Sequence, residues 1–196
     1  YLEGGAGTDV LIGDDGEDML FGDDGNDTID GGRDDDFISG GYGSNTLDGG
    51  YGNDIITYAF AAENGVYVNL LTNEGYVKTT PNDTDMIFSI ENIMGSAGDD
   101  TIYGDYKDNF ILAQEGNDEV DGGYGDDLII GKDGNDTLYG SGGDDEIYGN
   151  NDDDHLFGGN NNDTIYGDAG NDNLSGDKND DILYGGSGND TLSGGK

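Results

Sequence analysis

Residues 122–139 read GGYGDDLII followed by GKDGNDTLY, two consecutive blocks of nine residues that share one pattern. Glycine fills at least two of the first four places of each block, an aspartate takes the sixth, and an aliphatic residue takes the eighth. The pattern continues toward the end of the chain, for example as GGNNNDTIY and GDAGNDNLS. Because an internal repeat decides the architecture of a chain, this nine-residue register is the starting point for the whole sequence.

The repeat occurs in two blocks, at residues 4–57 with six copies and at residues 95–193 with eleven. All seventeen residues at the eighth position are aliphatic. The sixth position is aspartate everywhere except at Asn45 and Asn109, and Ala113 is the one first-position residue that is not glycine. Three positions keep nearly the same residue type in all seventeen copies, which indicates that every copy adopts the same local structure.

Each repeat combines a turn with a short strand. The glycines allow the backbone to take positive φ and turn sharply. Positions seven to nine, such as Thr137-Leu138-Tyr139, then point one aliphatic side chain inward between two outward ones. Two repeats make one coil of eighteen residues with a strand on each side. Stacked coils are therefore predicted to form two parallel sheets, with the eighth-position residues packed between them.

The same stacking places the sixth-position aspartates in two columns, one along each edge of the solenoid. Successive coils lie about 4.8 Å apart, and bare carboxylates at that spacing repel one another. A Ca²⁺ ion removes the repulsion, because it accepts six to eight oxygen ligands in flexible geometry and glycine-rich turns offer carbonyl oxygens beside the carboxylates. A solvated acidic surface does not require a nine-residue period, so the pattern favours calcium binding.

This pattern resembles the GGxGxDxUx nonapeptide of RTX (repeats-in-toxin) proteins, over nearly the whole chain. The resemblance implies an all-β fold, a right-handed parallel β-roll that binds calcium. It also implies a ligand set for each ion, which lies between two loops on one edge. One loop offers the carbonyls of positions two and four plus its aspartate, and the next loop offers the carbonyls of positions one and three plus its own.

Two groups of metal ligands follow. The expected carboxylate ligands are Asp9, Asp18, Asp27, Asp36, Asp54, Asp100, Asp118, Asp127, Asp136, Asp145, Asp154, Asp163, Asp172, Asp181 and Asp190. The carbonyl ligands that the resemblance implies at positions two and four of the second block are those of Gly123, Gly125, Lys132, Gly134, Ser141, Gly143, Asn150, Asp152, Gly159, Asn161, Asp168 and Gly170. There are thirteen gaps between adjacent loops, and those next to Asn45 and Asn109 lose one charge. We therefore expect about eleven to thirteen ions.

Composition narrows the classes of protein further. The chain has 196 residues, of which 45 are acidic and 6 basic, for a formal net charge of −39. With only 32% hydrophobic residues, the chain is expected to be disordered without ions. The negative charge argues against nucleic-acid binding, which needs lysine and arginine. No apolar stretch is long enough to span a membrane, and the absence of cysteine leaves metal as the stabilising cross-link.

We predict three regions: a first RTX block at residues 4–57, a non-repeat spacer at 58–94 and a second RTX block at 95–196. The spacer contains Pro81, the only proline, and lacks the repeat spacing. Alternating valines and the turn signals Asn-Gly and Glu-Gly predict a small hairpin, Val66–Leu71 with Gly75–Thr79. The chain then returns to the second block through residues 87–93.

The function that these patterns favour is that of a calcium-binding repeat region of an exported bacterial protein. RTX resemblance implies export by type I secretion machinery, guided by regions outside this sequence, with folding on calcium outside the cell. We expect a secreted, extracellular or cell-surface monomer whose folding aids export and stabilises or presents neighbouring domains. The sequence lacks HExxH, GxSxG and GxxxxGK[ST] motifs, so no enzyme is predicted here.

Two alternatives remain open. The region could be an adhesin or extension module that binds a surface or partner through the spacer or through outward tyrosines such as Tyr148, Tyr166 and Tyr184. Those rings could equally cover the sheet face. The region could also be the non-catalytic part of an exported enzyme or toxin whose catalytic domain lies elsewhere.

Overall fold

The computed structural model describes residues 1–61 and 63–196, and these residues form strands that alternate between two sheets. The first roll contains β1 (Leu2–Gly7), β2 (Val10–Ile12), β3 (Met19–Gly25), β4 (Thr28–Arg33), β5 (Phe37–Ser39), β6 (Thr46–Tyr51) and β7 (Ile55–Thr57). A 3₁₀ turn at Ala59–Ala61 and the insert strands β8 (Val66–Asn69), β9 (Glu74–Val77), β10 (Asp85–Phe88) and β11 (Asn92–Met94) follow.

The second roll continues the same alternation of strands. Its strands are β12 (Thr101–Tyr103), β13 (Phe110–Glu115), β14 (Glu119–Tyr124), β15 (Leu128–Asp133), β16 (Thr137–Gly142), β17 (Glu146–Asn151), β18 (His155–Asn160), β19 (Thr164–Ala169), β20 (Asn173–Asp177), β21 (Ile182–Tyr184) and β22 (Thr191–Ser193). The fold is thus an all-β parallel solenoid, as the repeat predicts.

Two sheets run through both rolls. One has ten strands in the order β1-β3-β5-β7-β11-β13-β15-β17-β19-β21. The other has twelve in the order β2-β4-β6-β10-β9-β8-β12-β14-β16-β18-β20-β22. Within the rolls every pairing is parallel and joins residues eighteen apart, such as Leu138 with Leu156 and Ile147 with Ile165. This register confirms that two repeats make one coil.

The eighth-position residues form the core between the sheets. From Leu11 to Leu174 they are 6% exposed or less, and most are fully buried. Leu183 is partly buried and Leu192 is 45% exposed. Burying one aliphatic side chain contributes about 1.5–3 kcal/mol. A core that is one residue wide therefore stabilises the roll only when many coils stack.

Many strands are longer than the three residues that the repeat predicts, although others, such as β2 and β12, have that length. β14, for example, continues from position seven through the two glycines Gly122 and Gly123 to Tyr124 at position three. The extension arises because the N–H of a third-position residue pairs with the second-position carbonyl one coil earlier, as Tyr124 does with Asp105 at 2.9 Å. The glycine-rich segment is therefore partly strand, and the turn is confined to positions four to six.

The insert belongs to the twelve-stranded sheet. β8 and β9 form an antiparallel hairpin with Val66 opposite Val77, close to the hairpin predicted from the sequence. β10 pairs in parallel with β6, and β8 pairs in parallel with β12. In the other sheet only β11 separates β7 from β13. Both sheets therefore pass without a break from the first roll to the second.

Candidate calcium sites along the two edges

The aspartates stack along both edges, as the repeat predicts. Edge one contains the loops that lead from the ten-stranded to the twelve-stranded sheet, and edge two contains the loops that lead back. On edge one the backbone N–H of Asp118 donates to Oδ1 of Asp136 at 2.8 Å, and Asp136 donates likewise to Asp154 at 2.9 Å. On edge two Asp127 donates to Oδ1 of Asp145 at 2.8 Å. Each carboxylate thus receives one hydrogen bond from the coil before it.

The second oxygen of most of these carboxylates is buried. In the part of the chain that the structure describes, it receives no hydrogen bond from the protein. This holds for Oδ2 of Asp9, Asp27, Asp36, Asp54, Asp118, Asp127, Asp136, Asp145, Asp154, Asp163, Asp172 and Asp181. Burying a charged oxygen without a partner is costly, so a native protein normally supplies a donor or a metal. A periodic row of such atoms points to cations along the edges.

The first-position glycines leave room beside these oxygens. A Cβ added to Gly22 would lie 2.5 Å from the carbonyl oxygen of Gly40 and 2.6 Å from Oδ2 of Asp27. The two oxygens belong to adjacent loops of edge one and converge where the side chain is missing. Glycine at the first position therefore keeps open a space that is lined by acceptors.

Other carbonyls face the same gaps. The second-position and fourth-position carbonyls point toward the following loop, since a Cβ on Gly32 or Gly43 would collide with the oxygen of Asp14 or Gly25 respectively. The third-position carbonyl points back, and that of Tyr42 accepts the N–H of Gly25 at 2.9 Å. Each gap is thus bordered by carbonyls two and four of one loop and carbonyls one and three of the next.

The residues at positions two and four have the backbone that this arrangement needs. Eleven of the twelve predicted carbonyl residues have positive φ, including Lys132 at 95° and Asn150 at 78°. The exception is Gly170. A non-glycine residue at positive φ is strained by about 1–3 kcal/mol. The side chain at these positions varies because the carbonyl, not the side chain, faces the gap.

Burial strongly affects the ionisation of the columns. Burial raises the pKa of Asp127 and of Asp136 to about 8. Each also accepts a backbone N–H hydrogen bond, which lowers the pKa but does not cancel the effect of burial. The same cause raises the pKa of Asp118, Asp154 and Asp163 to about 7. Such carboxylates hold protons near neutral pH unless a cation lies beside them.

No three acidic or histidine side chains converge at one point among residues 1–61 and 63–196. The donor set of each gap is therefore one or two carboxylates plus backbone carbonyls. Hard oxygen ligands of this kind suit Ca²⁺, which accepts carbonyl oxygens and irregular geometry. The chemistry of the gaps fits the ion that the sequence predicts.

The two asparagines in the columns differ from each other. Oδ1 of Asn45 accepts the N–H of Asp27, and its Nδ2 therefore lies beside Gly40, where other repeats place Oδ2. Asn109 has the opposite orientation, with Oδ1 beside Gly104 and Nδ2 donating to the carbonyl of Glu91 at 2.7 Å. Asn45 thus presents a donor to its gap and Asn109 an acceptor, so the two substitutions are not equivalent.

Asp18, Asp100 and Asp190 also depart from the common pattern. Asp18 lies 3.5 Å from the terminal ammonium of Tyr1, and Asp190 accepts the N–H of Asp172 at 3.1 Å on an exposed loop. Asp100 is buried, but both of its oxygens have protein donors. Its carboxylate is therefore less available to a metal than the other buried aspartates.

Two acidic residues continue the columns inside the insert, where the repeat pattern is absent. The N–H of Asn45 donates to Oδ1 of Asp85 at 2.9 Å, and the N–H of Asp54 donates to Oε2 of Glu91 at 3.0 Å. The repeat pattern predicts neither of these residues as part of a column. The signal was an acid followed two residues later by an aliphatic, as in Asp85-Met86-Ile87 and Glu91-Asn92-Ile93, without the glycines.

The outward tyrosines stack on one another. Ring centroids lie 4.6 Å apart between Tyr148 and Tyr166 and 4.8 Å apart between Tyr166 and Tyr184, with planes 6° apart in both pairs. On the other sheet Tyr139 stacks on Phe157 at 4.9 Å. Each ring covers its neighbour, so the arrangement favours the covering of the sheet face over an open binding ladder.

Comparison with known protein families matches the RTX calcium-binding nonapeptide repeat several times along the chain, at residues 3–38, 30–59, 90–120, 103–138, 121–156, 130–165 and 166–196. These segments cover well over half of the chain, and the chain belongs to this family of calcium-binding repeat proteins. No curated protein matches. Proteins with these repeats bind several Ca²⁺ ions and are typical of bacterial export. Among the described residues there is no helix of the length and hydropathy needed to cross a bilayer.

The position of an aspartate in its column predicts how much it contributes. Asp154 is 1% exposed, accepts the N–H of Asp136 and donates its own N–H to Asp172. Asp9 is partly exposed and is the first aspartate of edge one. We expect Asp154→Ala to raise the calcium concentration needed for folding more than Asp9→Ala does. Calcium titrations followed by circular dichroism measure the two midpoints, and equal midpoints would contradict the stacked columns.

Proposed function

We propose that each gap between adjacent loops binds one calcium ion through the aspartates and carbonyls predicted from the sequence. The observation that carries this proposal is the periodic row of buried Oδ2 atoms without a protein donor. Of the gaps between regular loops, the weakest are the one between Asp100 and Asp118 and the one between Asn109 and Asp127, whereas the gap between Asp27 and Asn45 keeps the free Oδ2 of Asp27. In the first of the two weakest gaps, both carboxylate oxygens of Asp100 already accept protein hydrogen bonds. In the second, the column residue is the neutral Asn109.

The number of bound ions tests this proposal. Eleven of the thirteen gaps remain when the two weak ones are set aside. Thirteen bound ions would fill every gap. Eleven divalent ions would neutralise 22 of the 39 net negative charges of the chain. Native mass spectrometry of the calcium-loaded protein is expected to show about eleven to thirteen ions. Four or fewer would mean that the columns do not act as continuous ladders.

We also propose that the chain folds outside the cell, as part of an exported bacterial protein. The calcium requirement supports this, since a chain whose ligands come together only on folding stays unfolded where the ion is scarce. Folding on the outer side would aid export through type I secretion machinery recognised by regions beyond this sequence. The folded roll would then stabilise or present neighbouring domains. A role without catalysis fits an arrangement in which the repeated carboxylates face ions.

Export of a reporter fused to this region tests that part of the proposal. Variants that make the roll less dependent on calcium, by replacing several buried aspartates of the columns with asparagine as in Asp136→Asn, are expected to fold before export and to leave the cell more slowly. Lys132→Gln, at the exposed second position of the same turn, keeps the backbone carbonyl and serves as the control. Unchanged export of variants that demonstrably fold without calcium would contradict the proposal.

A further inference from the structure

The acidic side chains that continue the two columns through the junction between the rolls have protein partners for both oxygens, in contrast to most of those in the repeats. We define the junction as the segment from Tyr58 to Asn109. Its buried acids Asp85 and Asp100 continue the column of edge one, and Glu91 continues that of edge two. Every carboxylate oxygen of these three residues accepts a hydrogen bond from a protein group. The free Oδ2 atoms of the columns belong to the repeats on either side.

On edge one, Asp85 is held by two residues of the first roll and its border. Oδ1 accepts both the backbone N–H and the Nδ2 of Asn45, each at 2.9 Å. Oδ2 accepts the hydroxyl of Tyr58 at 2.9 Å, and Tyr58 is 1% exposed. Asn45 thus removes one charge from the column and also donates the hydrogen bond that Asp85, the next acid in the column, accepts.

Asp100 joins the insert hairpin to the second roll. Its Oδ1 accepts the N–H of Val66 at 2.8 Å and the hydroxyl of Ser96 at 2.7 Å. Its Oδ2 accepts the N–H of Ser96 at 2.7 Å. The ammonium of Lys78 bonds to the carbonyl of the adjacent Asp99, and so brings a positive charge to this edge.

On edge two, a lysine provides the cation. Oε2 of Glu91 accepts the N–H of Asp54 at 3.0 Å, and Oε1 pairs with the ammonium of Lys107. Lys107 occupies the fourth position of its repeat, where glycine is usual. Nδ2 of Asn109 bonds to the carbonyl of Glu91. The protein thus places its own cation beside an acid of the column.

The junction also contributes several buried apolar residues to the core. Val66, Val68, Ile87, Ile90 and Ile93 are all buried, with exposed fractions of 4% or less. The hairpin of β8 and β9 is local in sequence, so that its formation closes only a short loop. Both sheets contain junction strands, and these pair with β6 and β7 of the first roll on one side and with β13 and β14 of the second roll on the other.

We propose that the junction keeps its structure at calcium concentrations at which the repeats are unfolded, and that it templates the first coil of each roll. Protein donors and the ammonium groups of Lys78 and Lys107 take the place of calcium there. The inference rests on the proposed calcium binding by the repeats. It adds that folding starts in the middle of the chain and proceeds outward in both directions.

Hydrogen exchange of the full chain, read peptide by peptide across a calcium titration, tests this directly. In chelator, peptides covering 66–77 and 85–94 are expected to exchange at least about tenfold more slowly than peptides covering 128–184, because local stability differs between segments. Equal exchange in both regions, with protection gained in a single calcium step, would overturn the inference. Protection of the repeats in chelator would instead overturn the proposed calcium requirement.

Matched variants test whether the donors to Asp85 and Asp100 stabilise the junction in chelator. Tyr58→Phe removes the donor to Oδ2 of Asp85, and Ser96→Ala removes one donor to Asp100. A buried acceptor left without its donor is expected to lower the protection factors of the junction roughly 5- to 150-fold in chelator. Tyr139→Phe, in an outward ring stack of the second roll, is the control and is expected to leave them unchanged. Equal effects of Tyr58→Phe and Tyr139→Phe would refute the role of the Tyr58–Asp85 contact.

Discussion

Removal of calcium is expected to unfold both rolls and to replace the β circular dichroism spectrum with that of a coil. Without ions the chain carries a net charge of −39, and among the described residues the two aspartate columns contain twelve buried carboxylate oxygens that receive no protein hydrogen bond. The core is only one aliphatic side chain wide per repeat and cannot offset that cost. Because the ligands of each gap come from two coils, the binding free energy of the ions is folding free energy.

The measurement is a spectrum in chelator and a second one in millimolar calcium. Magnesium is the matched control, since it has the same charge but demands octahedral geometry and releases its water reluctantly. It is expected to restore little of the β signal, whereas simple charge screening would make the two ions equivalent. A chain that kept its full β signal in chelator would show that the free Oδ2 atoms do not govern stability.

The regular part of the fold could be predicted from the sequence because three positions of the repeat carry three separate physical constraints. The eighth position fixes the core, the sixth fixes the columns, and the glycines fix the turns. Leu138 and Leu156 pair in the predicted register, and Asp136 stacks on Asp154 as expected. Many strands are longer than predicted because hydrogen bonding between coils continues into the glycine segment, which side-chain patterns do not report.

The junction was harder to predict, because its pairing depends on contacts between segments far apart in sequence. Asp85 is placed by Asn45 and Tyr58, forty and twenty-seven residues away. No local sequence pattern indicates that residues so far apart in the chain form hydrogen bonds with Asp85. The opposite orientations of Asn45 and Asn109 likewise depend on a neighbouring coil. Asp85 in the following coil accepts from Asn45, and the carbonyl of Glu91 in the preceding coil accepts from Asn109. The residue type was visible, but its hydrogen-bonding role was not.

Acidification of the metal-free chain is expected to have the opposite effect to chelation. Burial raises the folded-state pKa of Asp145 to about 6, of Asp154 to about 7 and of Asp136 to about 8, from an ordinary value of 3.8. The metal-free folded state therefore binds more protons than the unfolded state between about pH 4 and pH 8. Its stability is greatest below the unfolded pKa and is lost as the pH rises through the folded values.

Metal-free protein is thus predicted to be a coil at pH 8 and to gain β structure on titration to pH 4.5. Circular dichroism in calcium-free buffer follows the change, and its midpoint is expected between the raised pKa values and the ordinary one. With calcium present the dependence reverses, because the ion binds the deprotonated carboxylate and competes with the proton. The calcium concentration needed for folding is therefore expected to rise as the pH falls from 8 to 6.

Asp136→Asn separates the loss of charge from the loss of the ligand. The amide imitates the protonated acid, and Asn45 shows how it fits, with Nδ2 reaching the carbonyl of Gly41 in its own loop. We expect this variant to make the metal-free roll more stable at pH 8, to flatten its pH dependence and to bind one ion fewer. Asp153→Asn, at the exposed fifth position beside Asp154, removes the same charge without changing a gap. If both variants shifted the acid transition equally, net charge and not the buried column would control the folding of the roll.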